Sequence, residues 1–235
     1  METEPPPSRP ATALREGVVA ILPLMIGVIP FGFAFGVAAA GSGIDVKLAW
    51  STSPIIFAGA AQLATVQLLS SDTSLLVVAA TGLMINLRHV MYSAVLASDF
   101  RRFPRPWRVG LPYLLTDQTF AMAATRFEHS EDPSYKRWYY LGVGMTLWVW
   151  WQATTALGIV LGAGIPSDWN LDFAIPAVFL ALLVLSVKSR PGLVAAAAAA
   201  TVATLGHGMP YGLGLVTGIG FGIAAGVFAE RWWRG

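Results

Sequence analysis

An all-α bundle that crosses a membrane several times is the fold class this sequence predicts, and three observations predict it. Of the 235 residues, 55% are hydrophobic and only 12% charged, and the mean hydropathy is +0.62, whereas soluble domains carry about 25% charged residues. Apolar runs long enough to span a bilayer as helices follow one another with short loops between them, enough for about seven spans. Prolines, glycines and polar residues interrupt those runs, which predicts broken helices.

Several function classes fall away on composition. The chain contains no cysteine, so disulfides, thiolate metal sites and a cysteine nucleophile are excluded. A net charge of +2 does not point to nucleic acid, because the bases cluster beside the apolar runs and orient them. No P-loop, H-E-x-x-H, G-x-S-x-G or carboxylate cluster for Mg²⁺ occurs. We therefore expect no enzyme activity, no cofactor and no metal, and any ATPase would be another chain.

Taken in order, residues 1–14 are proline-rich without apolar periodicity and predict a disordered tail. Residues 15–235 then form a single transmembrane transport domain. Arg9 and Arg15 ahead of an apolar run imitate a secretory signal, but Gly17–Ala40 is too long for one and is broken by Pro23 and Pro30. That run is the first predicted span. The second is Trp50–Leu69, with Pro54, Gln62 and Gln67, and the third is Ser74–Ala97. Residues 97–137 form a cytoplasmic or re-entrant connection carrying Arg101, Arg102, Arg105 and Arg108. Within it, Val109–Thr125 is short, holds Pro112 and the polar Thr116–Thr119, and predicts a re-entrant or partly unwound segment.

Trp138–Gly162 is the fourth span, entered through the basic and aromatic Lys136–Tyr140. Leu171–Val187, Pro191–Gly206 and Tyr211–Ala229 follow as the fifth, sixth and seventh. With the re-entrant reading, the N-terminus lies outside and the C-terminus inside; a rival keeps every loop base inside by folding the first span back at Pro30. Pro54–Phe57 in the second span is echoed by Pro176–Phe179 in the fifth, and Pro30-Phe31-Gly32 by Pro210-Tyr211-Gly212. These echoes predict an inverted three-helix repeat.

Chemistry concentrates in Thr81–Asp99, where Asn86, Arg88 and His89 stand inside an apolar run. A charge at that depth costs roughly 2.5–3.5 kcal/mol and marks a pathway or a pair. Arg88 shares a helix face with Tyr92. Its guanidinium suits a substrate carboxylate, or a structural ion pair with Asp117 or Asp99. His89 could relay protons or join helices by a hydrogen bond. Asp117 reads as a proton-coupled carboxylate, an ammonium partner, or the cap of a half-helix. Gln62 reads as a ligand contact or a tie between helices.

The chain resembles the AzlC family, the large subunit of bacterial branched-chain amino acid exporters. The resemblance rests on Gly27–Gly32, Phe57–Gln62, Asn86–His89 with Tyr92 and Ser93, and Leu115–Asp117; Gln118 stands where the family often has an acid. It implies an inner-membrane exporter of leucine, isoleucine, valine and methionine, working with a small AzlD-like membrane subunit. On that basis Asn86, Arg88, Tyr92, Asp117, Gln62, Pro30 and Gly32 are the expected substrate-binding set, with His89 and Asp117 carrying the coupled proton. A substrate-binding component or permease subunit of an ATP-driven transporter is the alternative.

Overall fold

The structure, a computed structural model, describes residues 9–71, 73–162, 187, 189–209 and 213–234. They fall into two compact units, 1–175 and 176–235. In the first unit lie α1 (Pro10–Gly41), α2 (Val46–Ile56), α3 (Gly59–Ser70), α4 (Leu75–Asn86), α5 (Arg88–Phe100), α6 (Arg105–Gly110), a 3-10 turn (Leu111–Leu114), α7 (Asp117–Phe127) and α8 (Pro133–Gly162). All of these are helical, as expected.

Pro10 opens α1, where a missing N–H costs nothing. Residues 10–14, assigned above to the tail, are therefore helical. The helix then runs unbroken through Pro23 and Pro30, so the hairpin at Pro30 does not form. Its partner is α8. Gly36 on α1 meets Gly158 on α8 in a small-residue seam, with Gly32 closed against Thr154 and Gly162 against Val37: a Cβ on Gly36 would strike the Thr155 carbonyl, and one on Gly158 the Phe33 carbonyl. Trp151 fills the space beside the seam, between Phe31 and Phe35 at ring distances of 5.5 and 6.1 Å.

The two long helices run parallel. Leu14 lies against Gly142 near their starts, and Val37 against Gly162 near their ends. The N-terminus is thus on the same side as the start of α8 and the Arg101–Arg108 cluster, and all these bases share one face of the membrane. This corrects the expected outside N-terminus.

Depth along α8 locates everything else in the first unit. Asp99, at the end of α5, pairs with Lys136, so α5 ends on the arginine-rich side where α1 began. Between the far end of α1 and Asp99 the chain therefore makes one net return crossing, not two. The bent pair α4–α5 makes it: the two helices pass together as one apolar span with a 41° bend. The second predicted span does not cross. Its helix stops at Phe57, in the left-handed region at φ 44°, followed by extended Ala58. Gln62 beyond the turn hydrogen-bonds Thr52 and Ser53 before it. A straight helix would hold residues 53 and 62 about 13 Å apart, so the chain turns sharply. α3 then retreats beside α4, with Gly82 facing Thr65.

The segment after Arg101 does the same from the opposite side. Trp107 packs on Trp138, Leu114 reaches Gly144 deeper along α8, and Arg126 at the end of α7 is back beside Tyr135. Val109–Thr125 lies along this path. Among the described residues only α1 is long and apolar enough to pass as a span alone; α8 runs unbroken beside it for 30 residues, and the other helices of the first unit are short and broken.

The second unit pairs α9 (Arg190–Leu205) with α10 (Leu213–Arg234). Ser189 caps α9 by accepting from the Gly192 N–H at 3.2 Å, and Ala195 and Ala199 pack on Gly226 and Gly222. The fifth predicted span, apart from Val187, and the echo residues Pro176–Phe179 and Pro210–Gly212 lie outside the described residues.

Candidate functional site

Two re-entrant tips and one helix bend meet in the first unit. At the α2 tip, Pro54 loses its helical acceptor role because Ala58 is extended and its N–H points elsewhere. The Tyr113 hydroxyl takes that orphan carbonyl at 2.6 Å and itself accepts from the Trp148 indole at 2.8 Å. The Phe57 ring stacks on Tyr113 at 6.1 Å. Tyr113 belongs to the other tip, so the two tips are tied directly.

That second tip breaks at Leu115–Thr116, both extended, before α7 begins. Thr116 caps α7: its hydroxyl accepts from the Thr119 N–H at 3.3 Å, and Thr119 returns a bond to the Thr116 N–H at 2.6 Å. Asp117 is therefore not the cap. It is the first helical residue, where a negative charge suits the helix dipole, and its carboxylate is available to a partner.

That partner is Arg88. Its Nη1 lies 2.9 Å from one carboxylate oxygen of Asp117, while Tyr92 donates its hydroxyl to the other at 2.8 Å. The two side chains keep 33% and 41% of their surface accessible. Arg88 opens α5, where a positive charge opposes the helix dipole, and Asp117 offsets that cost. The Tyr92 ring stacks on Phe120 at 4.2 Å and meets His89 edge-on at 5.8 Å. Asp99, the other offered partner of Arg88, instead bonds Lys136 at 2.6 Å in a pair whose side chains are 18% and 5% exposed.

The bend beside Arg88 has an identifiable cause. His89 Nδ1 lies 3.2 Å from the Asn86 carbonyl. A carbonyl can only accept, so Nδ1 carries the hydrogen and, in the neutral ring, Nε2 is the free acceptor. The ring occupies the carbonyl that a continuous helix would pair with Val90, whose N–H bonds Leu87 instead at 3.0 Å. A side chain inserted into the ladder bends the helix. Beside it, Asn86 Oδ1 and Arg88 Nε are buried and make no hydrogen bond. An unpaired acceptor and an unpaired donor thus flank an ion pair inside the apolar layer, a state that costs free energy unless something polar visits.

Arg88, His89, Tyr92 and Asp117 thus come together, with Asn86 two residues before Arg88 at the bend. The other expected residues are placed elsewhere in the first unit. Gln62 is fully buried and committed: it donates to Thr52 and Ser53 at 3.2 and 3.0 Å and accepts from the Trp151 indole at 3.1 Å. It ties α2, α3 and α8 and has no hydrogen to offer a solute. Pro30 is on the exposed face of α1, and Gly32 is closed against Thr154 and Trp151. Phe120 and Tyr113 were missed. Phe120 stands three residues after Asp117, a helical spacing that puts it on the face of the carboxylate; nothing in the sequence marks Tyr113 beyond its neighbour Pro112.

Outside the apolar stretches, one cluster ties α1, α7 and α8. Arg126 bonds Glu16 at 2.7 Å and Tyr135 at 2.6 Å, and Tyr135 donates to Glu16. Burial, then the bond to Glu16, pushes the Tyr135 phenol up to about 12. That same bond, ahead of the Arg126 contact, holds the Glu16 carboxyl below its usual range.

No solved structure matches this chain. Among curated relatives, an uncharacterized membrane protein of Archaeoglobus fulgidus is 34% identical over 75% of this chain and 77% of its own length. Inner membrane protein YgaZ of Escherichia coli is 30% identical over 84% of this chain and 83% of its own length. An uncharacterized membrane protein of Helicobacter pylori is 28% identical over 75% and 76%. With the composition, these names place the chain in the inner membrane. The AzlC protein family model matches residues 23–165, more than half the chain and all of the Arg88–Asp117 site; the chain belongs to the AzlC family, and its role is in membrane transport.

Proposed function

We propose that this chain exports the branched-chain amino acids leucine, isoleucine and valine, and with them methionine, by proton-coupled secondary transport, together with a small AzlD-like membrane subunit. The Arg88–Asp117 pair at the meeting of two broken helices is the observation that carries this reading. An ion pair offers a zwitterion a partner of each sign, a cation for its carboxylate and an anion for its ammonium. The substrate carboxylate takes the guanidinium, helped by the unpaired Arg88 Nε. Asp117, released, takes the ammonium, and Asn86 Oδ1 supplies its second acceptor. Tyr92 and Phe120 give the aliphatic side chain an aromatic wall. The coupled proton is carried by Asp117 or by the free Nε2 of His89. Helix ends that converge on a midplane site are a recurring transporter design.

Leucine efflux from preloaded proteoliposomes tests this. Arg88→Ala and Asp117→Asn should each lower efflux at least about tenfold, since a hydrogen bond to a charged group is worth about 1.5–3 kcal/mol. Wild-type leucine efflux from either variant would remove the proposal.

A further inference from the structure

On the arginine-rich side a groove opens between the descending limb of the second tip and α8. Its cavity is about 460 Å³, walled by Trp107, Leu111, Leu114, Leu141, Met145 and Trp148 among others. Leu141, Met145 and Trp148 follow one stripe of α8, and Trp138 continues that stripe upward to pack on Trp107 at 4.7 Å. From Leu141 to Trp148 the helix rises about 10 Å, most of the roughly 15 Å of one leaflet of a hydrocarbon core. The groove thus runs through most of one leaflet.

Its mouth is cationic. The Arg137 guanidinium lies over the Trp107 ring at 5.5 Å, and its Nε is buried without a hydrogen-bond partner. Arg105 and Arg108, on either side of Trp107, are exposed and enter no ion pair among the described residues. Arg102 is taken by Glu131. An unsatisfied donor on Arg137 and two unpaired arginines beside Trp107, next to an apolar slot that runs through most of one leaflet, fit a molecule with an anionic head and an acyl tail. We propose that the groove holds an anionic phospholipid, its phosphate on Arg137 with Arg105 and Arg108 and one acyl chain along Leu141, Met145 and Trp148. The cytoplasmic leaflet supplies such lipids to basic juxtamembrane sites. This site is separate from the Arg88–Asp117 pair.

Native mass spectrometry of the detergent-purified chain, titrated with phosphatidylglycerol and with phosphatidylcholine, tests it. Phosphatidylglycerol should be retained in preference. Arg108→Ala, an exposed position, should weaken it about fivefold, and Arg137→Ala at least as much. Met145→Trp leaves every charge in place but fills the slot, and should weaken phosphatidylglycerol as well; this separates a seated lipid from a headgroup or phosphate held at the surface. Circular dichroism of each variant confirms native helicity. Equal retention of the two lipids, or phosphatidylglycerol binding unmoved by Arg137→Ala or by Met145→Trp in a folded protein, overturns the assignment.

Discussion

Tyr113 donates its hydroxyl to the carbonyl of Pro54 at 2.6 Å, and through that bond two helix breaks that enter the membrane from opposite sides are held against each other. Pro54 belongs to the tip formed by α2 and α3. Tyr113 stands four residues before Asp117 on the other tip. Any movement that separates the tips must break this contact and the Phe57–Tyr113 stack together.

Removing that hydroxyl should therefore loosen the tips without touching the ion pair. Tyr113→Phe keeps the Phe57 stack but leaves the Pro54 carbonyl and the Trp148 N–H unpaired. The expected cost is about 1–3 kcal/mol, read as a lowered melting temperature in detergent. An unchanged melting temperature would show that the tips are held by apolar packing alone.

The bend between α4 and α5 depends on one ring. His89→Phe cannot bond the Asn86 carbonyl, so the ladder can close and the 41° bend relax. Spin labels at the exposed Leu76 and Ser98 would then move apart by about 2 Å, the difference between a bent and a straight rod of that length. The same distance in both proteins would place the cause of the bend elsewhere.

Gln62 is expected to matter for folding. Gln62→Met removes the acceptor of the buried Trp151 N–H and the ties to Thr52 and Ser53, at about 1–3 kcal/mol. Leucine efflux per folded molecule should stay near wild type. Loss of efflux with unchanged stability would return Gln62 to the binding set.

Lys136 and Asp99 hold the end of α5 to α8. Lys136→Met strands the Asp99 carboxylate in a mostly buried place and should cost about 3–5 kcal/mol. The double variant Lys136→Met, Asp99→Leu should recover most of that, as two matched apolar groups replace two charges. If the double variant is no more stable than the single, the pair is not what joins these helices.

The membrane class was legible from composition, and Arg88 and Asp117 from their chemistry, because charge inside an apolar run has few explanations. Val109–Thr125 could be read as re-entrant since Pro112 and the polar Thr116–Thr119 cannot line an ordinary span. The matching turn at Phe57 could not. No glycine occupies the left-handed position there, and a bulky aromatic at positive φ is a rare event that only surrounding packing enforces. The side on which the chain begins was equally hidden, because that depends on α1 pairing with α8. The signal lay in Gly32, Gly36, Gly158 and Gly162, which mark a close helix contact but do not name the partner.

The sharpest test separates a substrate seat from a structural clasp. In the doubly neutral variant Arg88→Ala, Asp117→Asn, no charge is left unpaired, so a clasp that merely held the helices would be largely relieved of its penalty. We predict that leucine efflux from proteoliposomes bearing this folded double variant stays at the background of empty vesicles. Recovery of efflux toward the wild-type rate would contradict the assignment of the pair as the site where the amino acid binds.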